Sequence, residues 1–235
     1  MSTGRWDPAF STMGHNMNHL QQPRAFSDDL DLAATVAASA RQRFRPISLA
    51  ELDDVRLMDR TETKVLVPVA ALDEVIARAG NDYRILEIDG RQTQRCANDY
   101  FDLPCLWTYR DHHNQVGSRF KIRYRTYVDS DLTFFEIKQN DRGRIVKKRQ
   151  QASSPGPAIP PRDVEFARHI TGADVGNFVP SVRVTYDRIL LASISRGERV
   201  TIDLATTFDA AAGAVQSGDW RSVSSSSPGS TEPRR

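Results

Sequence analysis

Apolar and polar residues alternate with a period of two over Arg119–Tyr127, RFKIRYRTY, which predicts a strand with two unlike faces. Phe120, Ile122 and Tyr124 share one face, and Arg119, Lys121, Arg123 and Arg125 share the other. The same rule in Leu132–Lys138 sets Glu136 with Lys138, opposite Phe135 and Ile137. In Arg144–Arg149 it sets Lys147 with Arg149 and puts Arg144 with Lys148 on the far side. Further strands are predicted over residues 60–68, where RTETKVLVP places Glu62 and Lys64 together, over 83–88 and 95–101 around an Asp89-Gly90 turn, and over 182–188 and 198–204. The last of these puts Arg199, Thr201 and Asp203 on one face.

Helical spacing is rarer. Leu72, Val75, Ile76 and Ala79 form a stripe that Gly80 can terminate, and short helices are predicted near 48–53 and 162–170. From Ser27 a capped helix with a weak stripe at Leu30, Ala34, Ala37 and Ala38 precedes a basic stretch at 41–45. The fold class is α+β and mainly antiparallel. Residues 1–45 read as a polar N-terminal extension with that helix, 46–209 as the folded domain, and 210–235 as a serine-rich, low-complexity C-terminal tail. The 235 residues suffice for one such domain with its own core.

Charge changes the picture locally. The net charge is only +2, yet residues 119–149 hold ten Lys and Arg against four acids, Asp129, Asp131, Glu136 and Asp141. Like charges about 7 Å apart along one strand face repel by about 2 kcal/mol per pair at an effective dielectric near 20. Solvent and salt screen this on an open surface; within an enclosure a polyanion must do so, and phosphate chains match Arg forks and Lys ammoniums. Nucleic acid is not expected, because the aromatics of the first strand, Phe120 and Tyr124, fall opposite its cations.

Other candidate groups are weaker. Cys96 and Cys105 lack paired metal-site spacing and are expected as reduced, buried thiols of a cytoplasmic protein. His15 and His19 have the i, i+4 spacing of metal ligands but sit in a polar leader; His112 and His113 read as a surface loop pair. No apolar run is long enough to span a membrane.

The ordered segments TETK, NDYFDLP, RFKIRYRTY, FFEIK, VKKR, Tyr186 with Arg188, and RVTID resemble the vacuolar transporter chaperone (VTC) domain over residues 46–204. That domain is one of the triphosphate tunnel metalloenzymes, so the resemblance implies an antiparallel β-barrel with a basic lumen and flanking helices. It implies phosphoryl transfer from ATP or another nucleoside triphosphate to inorganic polyphosphate, with Mn²⁺ or Mg²⁺ as cofactor. Lys64, Arg123, Arg125, Lys138, Lys147 and Arg199 match its cationic catalytic positions. Arg119, Lys121, Lys148, Arg149 and Arg188 are expected to extend substrate binding, while Asp99, Tyr100, Phe101 and Asp102 are expected to be structural.

Two departures matter. In the related CYTH-type enzymes the strand at 60–64 reads Glu-x-Glu-x-Lys; Arg60 here stands at the first acid, which is closer to the VTC pattern and disfavours a CYTH-like triphosphatase. The family strand that follows the RVTID equivalent, Glu-Val-Lys, has no counterpart in the tail, so the barrel is expected to lack its C-terminal strand by truncation. Glu136 and Glu62 are then the candidate metal carboxylates, and a polyphosphate-binding module without turnover, or an inactive truncated homologue, is the alternative.

Overall fold

The computed structural model describes residues 26–53, 60–68, 71–210 and 220–228, with the backbone alone for 26–33, 53, 60–62 and 220–228. In chain order the elements are α1 (Phe26–Arg43), β1 (Arg45–Ile47), α2 (Leu49–Asp53), β2 (Arg60–Leu66), α3 (Leu72–Arg78), β3 (Tyr83–Leu86), β4 (Gln94–Asp102) and α4 (Trp107–His113). There follow β5 (Ser118–Tyr127), β6 (Leu132–Asp141), β7 (Arg144–Ala152), α5 (Pro161–Thr171), β8 (Val179–Ser193), β9 (Glu198–Ala210) and β10 (Trp220–Pro228). His15 and His19 lie outside the described residues, as does the side chain of Ser27.

The main sheet runs β2-β10-β9-β8-β4-β5-β6-β7, antiparallel throughout, with β3 on the far end of β8 and a short parallel β1–β3 pair beside it. The mainly antiparallel α+β architecture expected from the alternation is the one observed. Closure differs: among the described strands β2 and β7 are the two ends of the path, so the sheet is a curled half-barrel.

Burial on the convex face holds the strands. Phe120, Ile122, Tyr124, Phe135 and Ile137 pack under α5 with Ile159, Ala167, Val175 and Phe178. At the other end Ile189, Leu191, Ile202 and Leu204 pack against Leu72 and Ile76 of α3 and Val36, Ala37 and Ala40 of α1. Of the expected α1 stripe Ala37 is buried and Ala34 and Ala38 are exposed, while the side chain of Leu30 lies outside the described residues. One polar group is built into this layer: the Tyr124 hydroxyl donates to Asp163 at 2.6 Å and the Gln150 amide donates to it at 2.7 Å. That satisfies a buried carboxylate and ties β5 and β7 to α5.

Three local expectations are corrected. The His112-His113 loop is the end of a helix, α4, because the buried Asp102 carboxylate accepts from the Thr108 and Tyr109 amides at 3.0 and 2.9 Å and organises the first turn. Cys105 is exposed, and only Cys96 is buried. Within the low-complexity tail, where no C-terminal strand was expected, residues 220–228 form β10, hydrogen-bonded to β9 on one side and β2 on the other. Ladder bonds come from the main chain, so a serine run can complete them where neighbouring strands supply the partners.

Phe135 is fully buried between Tyr124 and Phe166. Phe135→Ala is expected to lower unfolding free energy by about 3–5 kcal/mol through lost transfer energy and an unfilled cavity. Chemical denaturation checks this, and a loss below about 1 kcal/mol is incompatible with the described convex core.

Candidate functional site: a cationic trough

Residues directly opposite one another in an antiparallel pair share a face, so register alone shows which side chains meet. Lys121 pairs with Lys138, and Lys138 with Lys147, giving one row of three lysines across β5, β6 and β7. The adjacent row is Arg123, Glu136, Arg149, and the next is Arg125, Phe134, Gln151. On β4, Tyr100 and Asn98 stand opposite Arg123 and Arg125. Through β8 and β9 the face continues with Arg188, Asp203, Thr201 and Arg199, and the register of β10 brings Lys64 into line with Thr201 and Glu62 with Arg199.

The sheet curls enough to bring its two sides within electrical reach. Burial lowers the pKa of Lys121, and the charges of Lys138, Arg123 and Lys64 lower it further, against a pull upward from Tyr100. Lys64 belongs to β2, five strands from β5 along the sheet. At this range only curvature into a trough lets the two ammoniums interact.

Several cations are held in place by neighbours on the same face. Arg123 donates to Glu136 from Nε and Nη2 at 2.9 and 2.7 Å and to the Tyr100 hydroxyl from Nη1 at 2.9 Å. Arg125 donates to Asn98 Oδ1 at 3.0 Å and lies 3.8 Å from Glu136. Arg188 forms a bidentate pair with Asp203 at 2.6 and 2.8 Å, the favoured geometry for guanidinium and carboxylate. Burial works against ionisation of Glu136, but Arg125, Arg123 and Arg149 outweigh it and hold its carboxyl below the usual range. The Arg149 guanidinium lies 4.6 Å from the Phe134 ring centre and that of Arg188 4.8 Å from Tyr186.

Helices mark the two ends. Leu52 of α2 packs with Leu86 and Ala192, and its carbonyl accepts from Arg199 Nη2 at 2.6 Å. At the opposite end His112 of α4 is close enough to Lys121, Arg119 and Lys138 that burial and then these charges depress its pKa. Arg119, at the same end, donates to the Val116 carbonyl at 2.7 Å.

Of the residues predicted from sequence, Lys64, Lys121, Arg123, Arg125, Glu136, Lys138, Lys147, Arg149, Arg188 and Arg199 therefore take positions on one face; for Glu62 the statement is one of register only. Lys148 does not join them: it pairs with Ile137, on the convex side, where strand alternation must put the neighbour of Lys147 and Arg149. Asp203, Tyr100, Asn98 and Tyr186 are on the face but were not among the predicted site residues. Tyr100 was expected to be structural, and the aromatics of this face come from β4, β6 and β8, not from β5, the strand on which nucleic-acid binding was judged. The Arg188–Asp203 pair was hidden because it joins strands whose pairing partner had to be known first.

Among the described residues Glu136 and Asp203 are each engaged by an arginine and no group of three His, Cys, Asp or Glu gathers, so these two carboxylates fit a divalent ion poorly; the side chain of Glu62 lies outside the described residues.

The strands thus define a mainly antiparallel half-barrel with a cationic inner face. Residues 59–156, from β2 to just beyond β7, match the family model of the VTC domain. That segment contains the lysine row and the Arg123–Glu136–Arg149 row. No curated protein matches the chain. Among solved structures the chain is similar to an adenylate cyclase candidate from Bacillus halodurans, with 12% identity, a TM-score of 0.46, and coverage of 70% of this chain and 78% of that one. Another adenylate cyclase candidate, from Vibrio parahaemolyticus, gives 7%, 0.41, 74% and 78%. The PH1819 protein of Pyrococcus horikoshii gives 12%, 0.39, 72% and 77%.

Ionised Glu136 stabilises the folded state. Its folded pKa is depressed from 4.5, so the contribution is complete above that pH and is lost as pH falls below it. Glu136→Gln is expected to lower stability at neutral pH and to flatten the loss of stability below pH 4.5. Thermal melts from pH 7 to 3 check this; identical acid slopes for both proteins would contradict it.

Proposed function

We propose that the trough binds inorganic polyphosphate and a nucleoside triphosphate and transfers the terminal phosphoryl group from the latter to the former in the cytoplasm. The observation that carries this reading is the in-register Lys121–Lys138–Lys147 row beside Arg123, Arg125 and Arg149. Like charges directly opposite destabilise a sheet, and a chain of phosphates offsets that with charge spaced closely along its length. The VTC match over the same strands supports it.

In the reaction a terminal oxygen of the polyphosphate forms a new P–O bond to the γ-phosphorus, the bond from that phosphorus to the β–γ bridging oxygen breaks, and the nucleoside diphosphate leaves. Such transfer needs positioning and charge stabilisation more than covalent help. Lys64, Arg123, Arg125, Lys138, Lys147 and Arg199 serve those ends, with Lys121, Arg149 and Arg188 extending the path. Arg123 is pre-set by Glu136 and Tyr100, which spares it reorganisation when phosphate arrives. Mn²⁺ or Mg²⁺ belongs to the reading as a companion of the phosphates; since the described carboxylates do not fit it, no step is routed through it.

A second reading, phosphate binding without turnover, is favoured by one observation. The β10 strand, WRSVSSSSP, fills its place in the sheet without contributing a carboxylate.

Purified protein incubated with ATP and either Mn²⁺ or Mg²⁺ separates the readings. Polyphosphate growth is expected, with Lys138→Ala slower by about 10²-fold, comparable to removal of one transition-state donor. Release of orthophosphate without chain growth would favour a triphosphatase. Saturable tripolyphosphate binding with no turnover would leave the binding module, and no binding at low salt would end the proposal.

A further inference from the structure

At its α4 end the trough opens into a cleft of about 200 Å³ lined by residues that include Tyr100, Tyr109, His112, Lys121 and Val182. Its chemistry differs from that of the trough. The carboxylate of Asp102 is already saturated, accepting from the Leu103 amide at 2.8 Å, the Thr108 amide at 3.0 Å, the Thr108 hydroxyl at 2.9 Å and the Tyr109 amide at 2.9 Å. Ser181 is likewise committed, donating to the Tyr100 carbonyl at 3.0 Å. What remains is mostly ring face and hydrocarbon, with Lys121 where the cleft meets the trough.

Tyr109 is 60% exposed and stacks on His113 with ring centres 6.1 Å apart and planes at 17°. Tyr109 lines the cleft and His113 does not. Burial and the neighbouring cations keep His112 below the ordinary imidazole pKa, so at neutral pH it presents an uncharged ring. A volume of 200 Å³ equals about seven waters at roughly 30 Å³ each, room for one flat heterocycle.

We propose that this cleft seats the nucleobase of the triphosphate donor against Tyr109 and His112, with its phosphates running past Lys121 into the Lys121–Lys138–Lys147 row. The assignment rests on the reading of the trough as a triphosphate site. A bare phosphate chain gains little from the cleft; a base joined to such a chain gains a stacking platform.

Calorimetric titration of the full chain with ATP, ribose 5′-triphosphate and tripolyphosphate tests it. Ribose 5′-triphosphate keeps the sugar and the charge and drops only the base. ATP is expected to bind about tenfold more tightly than ribose 5′-triphosphate, a difference of the size of one base–aromatic stack. Tyr109→Ala is expected to abolish that advantage while leaving tripolyphosphate affinity as in the parent, and Tyr109→Phe to retain it. Equal affinities for ATP and ribose 5′-triphosphate, or an advantage that survives Tyr109→Ala, would overturn the assignment with the trough intact. Failure of tripolyphosphate itself to bind overturns the trough reading, and this one with it.

Discussion

Repulsion among the cations of the concave face is the constraint around which the sheet is arranged. Lysine ammoniums at adjacent register positions on β5, β6 and β7 favour separation, and any slip of one residue would turn them outward and their apolar neighbours inward. What prevents the slip is the other side of the same strands. Phe120, Ile122, Tyr124, Phe135 and Ile137 are locked beneath α5, and moving any of them would expose apolar area worth about 25 cal/mol per Å². The electrostatic strain and the hydrophobic restraint are carried by alternate residues of one segment. Neither can be relaxed without the other.

Within the trough the charges are graded, and the grading follows the rows. Glu136 lies between Arg123 and Arg149 in register and is bonded to the first, so this row is partly neutralised before any ligand arrives. Asp203 does the same for Arg188, and aromatic faces lie beneath Arg149 and Arg188. Guanidiniums are therefore held as fixed, oriented forks, and an anion meeting them need not pay again for ordering long side chains. The lysine row is of another kind: compact ammoniums on flexible stems, with Lys121 already shifted toward its neutral form by burial and its neighbours. Rigid forks beside adaptable point charges suit a ligand that must be gripped in one place and slide in another.

How much of this was legible in the sequence depended on the range of the interaction concerned. Period-two alternation is local, so the faces of β5, β6 and β9, and with them the grouping of Lys121, Arg123 and Arg125, could each be read from that strand's own residues. The same rule already separated Lys148 from Lys147 and Arg149, and the structure agrees with the rule. Pairings between strands were not legible: that Tyr100 would meet Arg123 follows from β4 pairing with β5, and that Arg188 would meet Asp203 follows from the register of the β8–β9 pair. Helix α4 escaped notice because its organiser, Asp102, precedes it by several residues and lies in the preceding strand.

The β10 strand shows why composition misleads where the backbone decides. Nothing in WRSVSSSSP has the alternation of a half-buried strand, yet β9 and β2 each present a ladder edge that needs partners. A polar segment can satisfy those edges at no side-chain expense, so the continuity of the sheet and the supply of a carboxylate to its inner face are separable properties. The resemblance led to the expectation that losing the acid-bearing motif meant losing the strand. In this chain the sheet retains a strand between β9 and β2 while that strand supplies no acid, so carboxylates that offset the trough cations, such as Glu136 and Asp203, are carried by other strands.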